Sequence, residues 1–232
     1  MAKLSKRARA NAEKAPSEPM DPMAAFQTLK AFKAPKFDQS VEVVMHLGID
    51  TKHADQQIRG SVSLPKGIGK AKKVIAFCQP DVVKAAKEAG AVEAGGEDLV
   101  QKIEGGWFDF EVAIASPDMM RVLSKLGKVL GPKGLMPSPK NGTVTPKVAE
   151  AVGEFAAGKV EYRADKGGNI HAIIGKMSFD PADLVENFEH FVGTIEKQRP
   201  TTVKGEYVKS VTVSGTMTPG VRIIRAAAAA ES

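Results

Sequence analysis

The stretch Lys73-Val74-Ile75-Ala76-Phe77-Cys78 decides the fold, because it is a short apolar run without alternating polar residues. Such a run is typical of a strand that is buried on both faces, as in a parallel sheet. Residues 81–89 and 97–104 then predict two helices, and residues 110–115 predict a second buried strand. Alternating strands and helices of this kind predict a largely parallel sheet that is covered on both faces.

The pattern on the N-terminal side of this stretch is different. Residues 41–47 and 58–64 alternate apolar with more polar side chains, which is typical of half-buried strands. We expect these two strands to pair as an antiparallel hairpin with a long connection over residues 50–57. Asp21-Pro22 predicts the start of a helix, because a capping side chain directly precedes a proline.

The C-terminal side returns to the alternating pattern. Residues 160–163 and 170–176 predict two strands around a turn, and residues 207–213 predict a last strand. Asp180-Pro181 predicts the start of a long helix whose apolar residues lie on one face.

The order of these patterns predicts an α/β and α+β protein with two domains. We expect residues 1–66 and 159–232 to form a discontinuous α+β domain, in which strands from both chain ends complete one sheet. Residues 67–158 are then an inserted, three-layer, Rossmann-like α/β domain. Glycines near the two crossings suit a hinge, because glycine tolerates large changes of backbone angle.

The charge of the chain weakly favours a polyanionic partner, since the formal net charge is +6 and the pI is about 9.3. The first 36 residues hold eight Lys/Arg and three Asp/Glu, so the excess lies in an N-terminal arm. We expect residues 1–19 to be a mobile basic tail and Ala226–Ala230 to be a second solvated end.

The distribution of apolar residues and the single cysteine indicate the cellular compartment. No apolar run approaches the roughly 18 residues that a membrane helix needs, and the N-terminus lacks the apolar segment of a secretory signal. Cys78 lies in a buried run, which indicates a core thiol in a reducing compartment. We therefore expect a soluble, cytoplasmic protein without membrane contact.

The proline- and glycine-rich residues 131–142 look like a phosphate cradle but fail as a nucleotide-binding loop. Such a loop needs the motif G-x-x-x-x-G-K-[ST]. Counting from Gly134, Pro139 replaces the second glycine and Asn141 replaces the hydroxyl residue. The four histidines have no metal-ligand spacing, and one cysteine cannot supply a thiolate set. We therefore expect no catalytic residue, no cofactor and no metal.

The segment from Arg121 to Lys147 contains six Lys/Arg and no Asp or Glu. It begins within a helix that Ser116-Pro117-Asp118 caps and that Gly127 ends. The loop that follows carries Lys133 and Lys140. A stiff basic loop can hold phosphates without reading bases, so these two lysines form a secondary candidate site. The alternative is a solvated surface loop of ordinary turn residues.

A second group of candidate residues lies near the ends of the predicted strands outside the insert. Hydroxyls, a thioether, an aromatic ring and cations suit folded RNA, because they match 2′-OH groups, sugars, bases and phosphates. Each residue alone is equally compatible with an ordinary turn or a core position. The group comprises Lys36, Phe37, Arg163, Asp165, Lys166, Thr216, Met217 and Thr218.

Several motifs together resemble one protein family. They are Lys36-Phe37-Asp38, Asp55-Gln56-Gln57-Ile58-Arg59-Gly60, Leu130-Gly131-Pro132-Lys133-Gly134-Leu135-Met136-Pro137, Gly142-Thr143-Val144, Asp165-Lys166-Gly167, Ile170-His171, Gly175-Lys176 and Thr216-Met217. With these motifs, the chain from about residue 20 to 224 closely resembles the universal large-subunit ribosomal protein L-one family of the ribosomal stalk, in its bacterial form.

The resemblance implies a fold and a function. It implies two hinged domains, of which the first binds the stalk region of 23S rRNA beside the exit site of the large ribosomal subunit. It also implies assistance to the release of deacylated exit-site tRNA, and repression of translation from the protein's own operon mRNA. The free protein is then a monomer, and it works in the cytoplasmic ribosome.

The resemblance also assigns RNA-binding residues, position by position. Ser40 keeps the hydroxyl that relatives have there, whereas Thr218 stands where many relatives have glycine. The implied RNA-binding residues are Lys36, Phe37, Ser40, Arg59, Arg163, Asp165, Lys166, Thr216, Met217 and Thr218.

Two other hypotheses use the insert instead. One is an α/β nucleotide-binding enzyme, which would bind ATP or NAD saturably. The other is a protein-interaction module that uses the insert as a docking surface. RNA would not affect its binding to a protein partner.

Overall fold

The computed structural model describes residues 5–53 and 55–224. The predicted solvated end at Ala226–Ala230 lies outside the described residues. Among the residues described, no helix is both long and apolar enough to cross a membrane.

Helices and strands follow one another along the whole described chain. The first part forms α1 (Lys6–Lys14), α2 (Pro22–Ala31), β1 (Ser40–Leu47) and β2 (Arg59–Val62). The middle part begins with β3 (Val74–Phe77), α3 (Pro80–Glu88), β4 (Glu93–Gly95), α4 (Glu97–Glu104) and β5 (Val112–Ala115). It continues with a 3₁₀ turn (Pro117–Met119), α5 (Met120–Leu123), a 3₁₀ turn (Ser124–Leu126), α6 (Gly127–Leu130), a 3₁₀ turn (Pro139–Asn141) and α7 (Val148–Ala156). The last part forms β6 (Val160–Arg163), β7 (Asn169–Lys176), α8 (Pro181–Lys197), β8 (Val208–Gly215) and β9 (Val221–Ile223).

The described residues divide into two compact units. The first unit contains the described residues up to 58, residues 64–69, and the described residues from 162 onward. The second unit contains residues 59–63 and 70–161. Residues 59–63, which the predicted boundaries assign to the domain of the chain ends, fall in the second unit. The predicted domains and hinge stay predictions.

The first unit contains a four-stranded sheet in the order β7-β1-β8-β9. Strand β1 is antiparallel to both β7 and β8, so a strand from early in the chain lies between two strands from late in the chain. This confirms that strands from both chain ends complete one sheet. Every second residue of β1 is buried, and the apolar faces of α2 and α8 contribute Phe26 and Phe188, whose ring centroids are 5.9 Å apart.

The predicted hairpin between β1 and β2 is wrong. Strand β2 belongs instead to a two-stranded sheet with β6, because β7 and β8 occupy both edges of β1. Alternation along a strand shows which face is buried, but it does not name the neighbouring strand.

Part of the predicted mobile tail is helical, and β9 was not predicted. Residues 6–14 form α1, whose first turn is capped by the Ser5 hydroxyl accepting from the amide of Ala8 at 3.2 Å. The sequence pattern missed this helix because Asn11 is its only buried residue and no apolar stripe marks it.

The second unit contains a parallel three-stranded sheet in the order β4-β3-β5. Val74 and Ala76 on one face of β3 pack against α3 and α7, and Ile75 and Phe77 on the other face pack against α4 and α5. This confirms the predicted parallel sheet with helices on both faces. Cys78 is buried in the same core, and this burial raises the pKa of its thiol.

The helix predicted to start at Ser116 does begin at Pro117, but it differs from the prediction in its cap and in its end. The Ser116 hydroxyl does not cap it, and its oxygen is buried without a hydrogen-bond partner in the described chain. The helical path alternates between 3₁₀ and α geometry and continues through Gly127 to Leu130. Leu130 is completely buried in the core on the α4 face, so tertiary packing overrides the weak helix propensity of Gly127.

Candidate nucleic-acid interface

One end of the four-stranded sheet gathers polar side chains from three strands. In the antiparallel register, Ser40 at the start of β1 lies opposite Lys176 at the end of β7. Val41 lies opposite Gly215 at the end of β8. Residues 36–40 and 214–218, which are far apart in sequence, therefore meet at this end, which we call the β1-start surface.

Ser40 and Thr216 are joined by reciprocal hydrogen bonds. The Thr216 amide donates to the Ser40 carbonyl at 3.1 Å, and the Ser40 amide donates to the Thr216 hydroxyl oxygen at 3.1 Å. The ammonium of Lys176 donates to the Ser40 hydroxyl oxygen at 2.8 Å. Because an ammonium has three N–H donors, Lys176 keeps donors for a further ligand while its position is held by Ser40.

Gln39 holds the turn that carries Met217. Its side-chain oxygen accepts from the Met217 amide at 2.9 Å, although Gln39 itself is only 2% exposed. The backbone of Met217 is therefore tied down, while its side chain remains 52% exposed. Phe37, two residues before Gln39, is equally exposed. Two large apolar side chains in water, one of them on a backbone that is held in place, are typical of a contact surface.

Thr218 stabilises the same turn through hydrogen bonds to Gly215. Its hydroxyl oxygen accepts from the Gly215 amide at 2.8 Å, and its own amide donates to the Gly215 carbonyl at 3.1 Å. A Cβ on Gly215 would lie 2.9 Å from the Met177 methyl group and 3.1 Å from the Thr218 hydroxyl. The turn is therefore closely packed, and the Thr218 hydroxyl is engaged inside it.

Asp165 and Lys166 lie at the opposite end of the sheet. The register places Asn169 opposite His46, near the far end of β1, about 20 Å along the strand from Ser40. Asp165 accepts hydrogen bonds from the amides of Gly167 and Asn169, each at 2.8 Å. The amide of Asn169 is the largest cause that lowers the pKa of the Asp165 carboxyl. Asp165 therefore organises its own turn.

The two predicted arginines lie on the paired strands β2 and β6. Arg59 is exposed on β2 in the second unit, and Arg163 is exposed at the end of β6 in the first. The ten predicted RNA-binding residues therefore divide into three sets. Lys36, Phe37, Ser40, Thr216, Met217 and Thr218 share the β1-start surface, Asp165 and Lys166 share the opposite end, and the two arginines lie on β2 and β6.

The secondary basic loop is tied to the second unit at several points. The Lys133 ammonium lies 3.3 Å from the centroid of the Phe108 ring. Buried Thr143 accepts from the Ser138 amide at 2.8 Å. Asn141 donates to the Glu161 carboxylate at 3.0 Å, and burial raises the pKa of Glu161. Lys140 is exposed, whereas Lys133 already faces an aromatic ring.

Sequence reasoning missed Gln39 and Lys176 as members of the β1-start surface. Lys176 was noticed only as a family motif, because its place beside Ser40 depends on the pairing of strands 136 residues apart. Within the described part of the chain, no group of three or more His, Cys, Asp and Glu side chains could hold a metal ion.

Comparison with known protein families identifies the same family as the sequence motifs. Residues 29–219 match the Ribosomal protein L1p/L10e family. This segment is well over half of the chain and contains the whole β1-start surface, whereas α1 lies outside it. The chain therefore belongs to the Ribosomal protein L1p/L10e family, a family of structural, RNA-binding proteins of the large ribosomal subunit and not of enzymes.

Proposed function

We propose that this chain binds the stalk region of 23S rRNA through the β1-start surface. The observation that carries this proposal is the exposure of Phe37 and Met217 beside backbone segments that Gln39 and Thr216 hold at Met217 and Ser40. Bases and sugars pack on such apolar side chains. The hydroxyl of Ser40 and the ammonium of Lys176 supply partners for 2′-OH groups and phosphates.

The role in translation follows from this binding. A protein on the stalk beside the exit site assists the release of deacylated tRNA from that site. The same surface represses translation of the protein's own operon by binding an mRNA segment that has the shape of the rRNA site. The two RNAs then compete for one surface, and the free protein is a monomer.

A titration with a stalk rRNA fragment tests the surface. We expect Met217→Ala to raise the Kd roughly 5- to 150-fold, since loss of a base contact costs about 1–3 kcal/mol. Met23→Ala is the matched control, because Met23 is also exposed but lies at the start of α2. Equal affinities of the two variants, with unchanged circular dichroism, would reject the β1-start surface.

A competition experiment tests the regulatory role. We expect the operon leader RNA to displace labelled stalk rRNA completely, with a Kd for each RNA that Met217→Ala raises in parallel. Simultaneous binding of both RNAs would show that repression, if present, uses another surface. Release of exit-site tRNA is measured on ribosomes that carry the wild-type protein or Met217→Ala, and we expect slower release with the variant.

A further inference from the structure

We propose that α1 is a docked, basic extension of the β1-start surface and that its lysines bind phosphates of the same RNA. This inference rests on the proposed function, because it assumes that RNA occupies the adjoining surface. It concerns a helix that lies outside the segment matched to the family.

A single buried asparagine docks the helix. Asn11 is 1% exposed, and both polar atoms of its amide bind the backbone of Lys33. Its oxygen accepts from the Lys33 amide at 2.8 Å, and its nitrogen donates to the Lys33 carbonyl at 3.2 Å. Since Lys33 lies three residues before Lys36, this contact places α1 beside the segment that leads into the β1-start surface.

A second contact joins the same face of α1 to the other side of that surface. The Arg7 guanidinium donates to the Met217 carbonyl at 3.3 Å. Arg7 and Asn11 are four residues apart, so they lie on one face of the helix. One turn of α1 therefore bridges the two chain segments, residues 33–37 and 216–218, that carry Phe37 and Met217.

The composition of α1 is that of a phosphate-binding helix and not of a core helix. Its nine residues include four Lys/Arg and one acidic residue, Glu13. Lys6 and Lys14 are exposed near its two ends, about 12 Å apart along the axis. A short helix without an apolar stripe has little stability of its own. Its docking therefore arranges positive charge beside the RNA surface.

Salt-dependent titration of the full-length protein with the stalk rRNA fragment tests the role of the charges. The variant Lys6→Gln with Lys14→Gln keeps good helix formers but removes two cations. The logarithm of the association constant decreases as the logarithm of the salt concentration rises. For each lysine that contacts a phosphate, we expect the variant to have a slope that is less steep by about 0.7–0.9, and a Kd near 0.1 M salt that is roughly 5- to 8-fold higher.

The matched control removes the same charge elsewhere. Lys84→Gln with Lys87→Gln changes two exposed lysines of α3 in the second unit, and we expect the wild-type slope. The proposal is overturned if both double variants behave alike, or if the α1 variant binds RNA more tightly, which would mean that α1 covers the surface.

A third variant tests docking separately from charge. Asn11→Ala keeps every cation but removes both bonds to Lys33, so we expect a several-fold higher Kd and a smaller salt slope. If Asn11→Ala binds like the wild type while the lysine variant is weakened, α1 acts as a mobile polycation and the docked arrangement is wrong. If the wild type itself does not bind the stalk fragment, the proposed function fails instead.

Discussion

At the scale of single residues, Asn187 illustrates how one buried amide organises the chain. It is completely buried in α8, where its oxygen accepts from the Lys66 amide at 3.0 Å. Its nitrogen donates to the carbonyls of Gly67 at 3.0 Å and Ile174 at 2.8 Å. Asn187 thereby holds residues 64–69, the segment of the first predicted crossing, against β7 and α8.

We expect Asn187→Ala to lower the free energy of unfolding by on the order of 3 kcal/mol, because the buried Ile174 carbonyl and two partly buried backbone groups lose their partner. Urea denaturation measures this change. Glu189→Ala, at an exposed position of the same helix, is the control and changes stability by less than about 0.5 kcal/mol. A similar small effect of both variants would mean that water replaces the amide.

Asp165 gives a prediction that depends on pH. Hydrogen bonds from Asn169 and Gly167 lower the pKa of its carboxyl below its usual value. A carboxyl with a lowered pKa in the folded state stabilises the protein above its unfolded pKa, and this contribution is lost as pH falls through the folded pKa. We expect wild type to be more stable than Asp165→Asn at pH 7.

The difference should be small, because Asp165 is exposed and water screens it. The difference in free energy of unfolding should remain constant from pH 7 down to about pH 5 and decrease below about pH 4. Urea denaturation of both proteins across this range measures it. A difference that is equally large at pH 3 would show that the amides of Gly167 and Asn169 do not favour the charged form of Asp165.

Sequence reasoning at this scale found exposed residues more readily than buried polar ones. Phe37 and Met217 were found because side chains of their type near strand ends suit RNA. Gln39, Asn11 and Asn187 were missed, since each acts through hydrogen bonds to a backbone that is distant in sequence. No local pattern records such a partner.

At the scale of elements, the strands show where local pattern is sufficient and where it is not. The alternation in β1 and the unbroken apolar run in β3 correctly predicted half-buried and fully buried strands. The partner of β1 was predicted wrongly, because both hairpin and long-range pairings satisfy the same alternation. The docking of α1 was invisible for the same reason.

The basic loop at residues 131–142 gives the prediction at this scale. We expect Lys133→Gln with Lys140→Gln to leave the Kd for the isolated stalk fragment within about twofold, because the loop belongs to the second unit. The same titration that tests α1 measures this, and the equal charge change makes the two double variants comparable. A loss similar to that of the α1 variant would place the main RNA surface on the second unit.

The Lys133 change should be visible in stability instead. Its ammonium lies over the Phe108 ring, so we expect Lys133→Gln to lower unfolding free energy by about 0.5–1 kcal/mol. Lys140→Gln, which changes an exposed lysine of the same loop, is the control in urea denaturation. Equal stabilities of the two variants would show that the ring contact contributes nothing.

At the scale of the whole molecule, the second unit has its own core around the β3 sheet. Phe155 is completely buried there, and we expect Phe155→Ala to destabilise this unit by about 3–5 kcal/mol. Its Kd for stalk rRNA should remain that of wild type. Hydrogen exchange read by mass spectrometry reports each unit separately and so measures the effect.

Stalk rRNA should stabilise the first unit. At a free concentration 100 times its Kd, bound RNA stabilises the region that binds it by about 2.7 kcal/mol. We therefore expect slower exchange in β1 and β8 and unchanged exchange in β3 and β5. Equal protection of both units would contradict the assignment of the RNA surface to the first unit.

The sequence by itself determined most of the helices and strands, the parallel sheet within the middle segment and the family. These depend on apolar periodicity and on motifs, which are local in the chain. Only the tertiary structure decided which strands pair with β1, that α1 docks through Asn11, and that Ser40, Lys176 and Thr216 meet at one end of the sheet. The physical reason is that pairing and docking are choices among long-range contacts, and many of these satisfy the same local pattern.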